Sequence, residues 1–111
     1  MPRSRQSTTT VKGGTLTREA VLSSRPSVPD HVVYREFVNE TVVLNLETGT
    51  YHGLNPTGGK MLETLGCAAT VRQAAATLSE SYERPLEEIE DDLYDFCVRL
   101  AEHGLVELTH D

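Results

Sequence analysis

Residues 41–59 read TVVLNLETGTYHGLNPTGG, and the way this stretch divides decides the fold. Residues 41–46 and 50–54 are rich in β-branched and aromatic side chains, the composition of strands. Between them stands Glu47-Thr48-Gly49, with glycine where a three-residue hairpin needs a left-handed residue. Val42, Leu44 and Leu46 recur at period two, so that face of the strand is expected to meet the core. Asn55-Pro56 then supplies a helix N-cap followed by the residue best suited to the first helical position. That helix carries Met61, Leu62 and Leu65 and is expected to stop at Gly66. Working backwards, HVVYREFV over residues 31–38 is a further strand, turned at Asn39-Glu40. The sum is a three-stranded antiparallel meander running into a helix.

The glycines, the histidine and Lys60 invite a second reading, as a phosphate loop. Such a loop needs a Lys and then a Ser or Thr directly after its last glycine, because those side chains reach the terminal phosphates and magnesium. Gly59 follows Gly58, Met61 follows Lys60, and Pro56 removes an amide from the would-be cradle. The strand-and-helix reading accounts for each residue locally.

Two more helices follow. Thr70-Val71-Arg72-Gln73 matches a capping box, and Val71, Ala74, Ala75, Leu78 and Tyr82 follow at helical spacing. The last helix starts at Pro85, carries Glu87 and Glu88 in its first turn and ends at Gly104, after His103. Leu86, Ile89, Leu93, Phe96 and Leu100 form its seam, and Cys97, Ala101, Tyr94 and Val98 widen the apolar arc to about 200°. One contact needs about half of that, so this helix is expected to be covered on two sides, with sheet, second subunit and ligand all open as the cover.

Ahead of the meander the signals are weaker. Residues 1–15 are polar and aperiodic and read as a disordered arm; their Arg/Ser/Thr content matches a transit peptide, without the amphipathic face one requires. Residues 16–22 fit a short strand or helix, and two prolines within residues 25–29 are expected to interrupt regular structure. This places an extension over residues 1–29 and a domain over residues 30–108.

Composition narrows the function. Residues 1–30 hold five Lys/Arg against two acids, and residues 31–111 hold five against fifteen. An acidic domain lacks the positive footprint of a nucleic-acid binder. No apolar run reaches eighteen residues, so no membrane span is expected, and Cys67 and Cys97 read as free thiols of a cytoplasmic protein. Neither cysteine has C-x-x-C spacing, and Cys97 lies in an apolar face where burial raises a thiol pKa. His52 has no partner at metal-ligand spacing, and His31, His103 and His110 are scattered, so no metal and no catalytic residue is assigned. The acidic run of residues 80–95 lacks the spacing and glycine of a calcium loop and reads as a solvated helix face. No cofactor is expected.

VLNLETGTYHGLNPTGG at 43–59, the small and acidic helices, and HGLVE at 103–107 together resemble the PqqD-like family, over roughly residues 30–108. That family comprises peptide-recognition domains of pathways that make ribosomally synthesised, post-translationally modified peptides. The resemblance implies an α+β, winged-helix-like domain: a three-stranded antiparallel sheet followed by three helices, which agrees with the elements read above. It implies no enzyme activity. It implies instead that the leader region of a precursor peptide adds as a strand to the third strand, beside the third helix.

Carried onto this sequence, the strand is Thr50, Tyr51, His52, Gly53 and Leu54, and the groove wall is Asp92, Leu93, Phe96, Arg99 and Leu100. Phe96 is the expected apolar pocket, with Arg99 for a leader acid and Asp92 for a leader base. Proline at Thr50 or Gly53 is expected to remove an edge amide and weaken binding more than folding. GLNPTG points to stand-alone members of lasso-peptide pathways, with a leader peptidase and then a cyclase as partners. The alternatives are a chaperone for a radical-SAM or other tailoring enzyme, a winged-helix DNA binder, and a homodimeric interaction module using the broad apolar arc on itself. The N-terminal extension lies outside the shared pattern.

Overall fold

The computed structural model describes residues 17–109. The arm expected over residues 1–15 lies outside them. In chain order the elements are helix α1 (Arg18–Leu22), strands β1 (Arg25–Ser27), β2 (Val32–Glu36), β3 (Thr41–Asn45) and β4 (Thr50–Leu54), helices α2 (Pro56–Cys67), α3 (Val71–Tyr82) and α4 (Leu86–Glu102), and strand β5 (Glu107–Thr109). β2, β3 and β4 form an antiparallel sheet in that order, and three helices follow it: the α+β arrangement expected from the sequence. No helix among the described residues is long and apolar enough to cross a membrane.

The local signals act as their chemistry requires. Gly49 turns the β3–β4 hairpin at φ +76°, its amide donating to the Asn45 carbonyl at 2.8 Å. Asn55 caps α2 by accepting from the Gly58 amide at 2.7 Å, with Pro56 next in line. Thr70 caps α3 through the Gln73 amide at 3.1 Å, while the Gln73 side chain reaches back to the Ala69 amide at 2.7 Å. Gly104, at φ +72°, follows α4. α2 runs one residue past Gly66, through Cys67, and Ala68 closes it.

The face of β3 that meets the core is the opposite of the one its hydrophobicity predicts. Thr41, Val43 and Asn45 are buried, whereas Val42 and Leu44 are half-buried and Leu46 is 57% exposed. Two tertiary constraints decide the phase. Gly59, in the first turns of α2, has no side chain and so lets the helix backbone come against Thr41. The Asn45 side chain turns inward and accepts from the Glu47 and Thr48 amides at 2.9 and 3.4 Å, so its burial leaves no stranded acceptor. Val33, Leu44 and Tyr51 consequently stand side by side on the outer face.

The residues ahead of position 30 also contribute more than an interruption. Val21 and Leu22 of α1 are fully buried in the single core cluster, and α1 packs on α3 and α4. α1 is what covers part of the broad apolar arc of α4, whose other side meets α3. Arg18 pairs with Asp91 at 2.8 Å and Glu90 at 3.2 Å, and Arg72 of α3 pairs with Glu19 at 2.7 Å. Arg25–Ser27, where the prolines were expected to prevent regular structure, is β1, paired antiparallel with β5. Proline is tolerated because a two-stranded sheet leaves each strand an open edge toward which a missing N–H can face.

A strand edge and a pocket beside helix α4

β4 is the terminal strand of its sheet, so one of its edges has no strand partner. Which backbone groups face that edge follows from the ladder. The Leu46 amide donates to the His31 carbonyl at 2.7 Å and the Phe37 amide to the Glu40 carbonyl at 2.7 Å. Those two contacts make the even-numbered residues of β3 point their backbone groups at β2. Antiparallel pairing alternates, so Thr41, Val43 and Asn45 bond toward β4, where they face Leu54, His52 and Thr50. The N–H and C=O of Tyr51 and Gly53 are left pointing at the open edge. Thr50 therefore belongs to the inner ladder, and proline there would damage the sheet; Gly53 alone keeps the role expected for both positions.

Beside the end of this edge lies a pocket of about 360 Å³. Gly53 and Leu54 of β4, the start of α2, and Asp92, Phe96 and Arg99 of α4 line it. Phe96 is 7% exposed and forms the apolar floor together with Leu54 and Met61. A Cβ on Gly58 would lie 3.3 Å from Leu54 Cβ and 3.5 Å from the Phe96 ring, so the bare helix start keeps the pocket open. Gly53 has only the flexible Glu40 carboxylate near its missing Cβ.

The expected site residues thus separate into groups. Gly53, Leu54, Asp92, Phe96 and Arg99 share the pocket. Leu93, with no exposure, and Leu100, with 4%, face the core and support the wall from behind, because helix geometry turns them away from the groove. The Tyr51 side chain is 73% exposed on the outer face, leaving only its backbone at the edge. His52 is half-buried on the inner row, and its ring meets that of His103 with centroids 4.9 Å apart, a pairing that the scattered positions gave no reason to expect. Asp95, Asn55, Thr57, Gly58 and Met61 complete the pocket and were missed. Their signal was the sequence adjacency of a strand end, a cap and a Gly-Gly helix start.

Electrostatics differ along the rim. Asp92 is engaged by Arg84 at 3.3 Å, and Arg84 also holds Glu88 at 3.1 Å; these contacts raise the guanidinium above its ordinary value, the Glu88 hydrogen bond most. Asp95 and Arg99 have no ion pair among the described residues. Cys97, buried behind the wall, has its thiol pushed up to about 12 by burial and stays protonated at neutral pH. No three His, Cys, Asp or Glu side chains converge to hold a metal ion among the described residues.

The family model of "Coenzyme PQQ synthesis protein D (PqqD)" matches residues 40–106, which span both β4 and α4. No curated protein matches. Among solved structures, TbiB1 in complex with the TbiA(beta) leader peptide is 30% identical, with a TM-score of 0.68 over 77% of this chain and 99% of that one. A lasso peptide synthetase B1 complexed with the leader peptide is 21% identical, with a TM-score of 0.65 over 74% and 96%, and shares the fold. A family model covering more than half of the chain, together with a fold held in common at 30% identity, makes this chain a member of the PqqD family.

Proposed function

We propose that this chain binds the leader segment of a ribosomally made precursor peptide by taking it as a fourth strand on β4, beside α4. The observation that carries the reading is the open edge of Tyr51 and Gly53 next to a pocket floored by Phe96. Backbone bonds to the edge supply affinity for any extended peptide, and the pocket supplies selection. Two solved structures that share this fold, each in complex with a leader peptide, support the same use of it. The apolar floor takes an apolar leader side chain; Arg99 pairs with a leader acid, and Asp95, free of Arg84, is better placed than Asp92 for a leader base. The role is binding and delivery, with the chemistry done by a separate enzyme. A leader peptidase of a lasso-peptide pathway is the partner we favour.

The two proline substitutions test the edge. Gly53→Pro removes an outward amide and is expected to weaken leader binding by at least about tenfold, the equivalent of ~1.4 kcal/mol. Its thermal midpoint should stay within a few degrees of the parent protein's. Thr50→Pro removes a group of the inner ladder and is expected to lower the midpoint more than Gly53→Pro does. Fluorescence anisotropy with a labelled leader, paired with thermal melts, checks both; equal loss of folding and binding at Gly53 would count against the edge.

A further inference from the structure

Along β4, the inner-row residue before Leu54 is His52; along α4, His103 stands one turn beyond Arg99, and the two imidazoles touch there. Among the described residues neither ring has a hydrogen bond or an ion pair, so their nitrogens are available to a ligand. Side chains on one face of a strand recur every second residue, about 7 Å apart. A peptide strand on β4 that seats one side chain at Leu54 and Phe96 therefore presents another at the imidazole pair.

We infer that His52 and His103 form a second subsite, which accepts a carboxylate side chain of the bound peptide two residues from the one filling the Phe96 pocket. The inference rests on the leader-binding reading and deepens it. Each imidazole offers an N–H donor, and protonation gives it a second. Protonated together the rings repel each other, and a carboxylate between them compensates both. His103 sits at the C-terminal cap of α4, where the helix carbonyls favour positive charge. Two charged residues adjoin the pair in chain order. On α4, Arg99 lies one turn back and Glu102 adjoins His103; on the sheet, Val43 opposite His52 and its inner-row neighbours Thr50 and Leu54 carry none. A carboxylate is thus held by N–H donors of both rings, and charge-assisted bonds from a protonated ring hold it more tightly than neutral ones.

The experiment uses the leader of this chain's cognate precursor peptide, fluorescently labelled, with each of its Asp and Glu residues changed singly to Asn and Gln. Anisotropy is read at about pH 6 and about pH 8, the two sides of the imidazole range. Affinity for the parent chain should be about fivefold or more higher at the lower pH, an electrostatic gain of the size expected for a charge-assisted hydrogen bond. His103→Gln, at an exposed position whose folding is checked by a thermal melt, should flatten that ratio toward one. One acid-to-amide change in the leader should flatten it equally, and combining it with His103→Gln should add nothing. Comparing the two chains cancels any titration of the peptide itself. A leader that binds with the same pH ratio to both chains, or whose acids are all dispensable, overturns the subsite and leaves the leader-binding reading standing. A leader that does not bind the parent chain overturns both.

Discussion

Leu22→Ala is expected to lower the unfolding free energy by about 3 kcal/mol, the loss typical of a leucine removed from a packed core. Leu22 has no exposure and belongs to a helix of five residues. A helix that short has no stability of its own. Its contacts with α3 and α4 must hold it. The ion pairs of Arg18 with Asp91 and of Arg72 with Glu19 are solvent-exposed, and such pairs contribute little. Burial of Val21 and Leu22 is therefore the anchor. Denaturant unfolding separates the two contributions: Leu22→Ala should shift the midpoint strongly, while Glu19→Gln should leave it nearly unchanged. Leu22→Ala behaving like a surface change would mean that α1 does not belong to the domain.

Gly59→Ala is expected to cost about 2 kcal/mol, although alanine is the better helix former. A Cβ at Gly59 would fall 2.9 Å from Thr41 Cβ and closer still to the Thr41 hydroxyl, so helix and strand must separate. Two comparisons isolate the cause. At Gly66 the nearest atom to a new Cβ is Val28 Cγ2 at 4.0 Å, and Gly66→Ala should instead gain up to about 1 kcal/mol. Thr41→Ala removes the closest atom, so Gly59→Ala should cost less in that background than in the parent chain. Chemical denaturation of the four variants measures this; equal costs in both backgrounds would place the strain on the Thr41 Cβ and not on its hydroxyl, and no cost in either would place it elsewhere.

Gly59 also marks where sequence reasoning ran out. Signals that act within a few residues were legible: Gly49 for the hairpin, Asn55 and Pro56 for the start of α2, Thr70 for α3, and Gly104 after α4. The phase of β3 was not. Val42, Leu44 and Leu46 alternate as regularly as Thr41, Val43 and Asn45, and the choice was made by the approach of α2 at Gly59 and by the inward bonds of Asn45. α1 and β1 were too short for a periodic signal, and Pro26 argued against a strand whose open edge only the pairing with β5 reveals.

The site divided in the same way. Phe96 stood out at the border of the α4 arc and lines the pocket, but Leu93 and Leu100 of the same seam turned inward. Asp95 and the first residues of α2 join the pocket through the crossing of α2 and α4, which no local pattern encodes. The contact of His52 with His103 likewise depends on the whole fold.

Docking of the leader on β4 is tested by an NMR titration of isotope-labelled chain with the leader peptide, followed amide by amide. Leader docked on β4 should shift the Tyr51 and Gly53 amides most and protect them from exchange, because only these gain a hydrogen bond. Thr50, His52 and Leu54, already bonded to β3, should gain little protection, and Phe96 and Arg99 should respond through the pocket. Leader binding that leaves Tyr51 and Gly53 unprotected, or that moves α3 in their place, would rule out docking on β4.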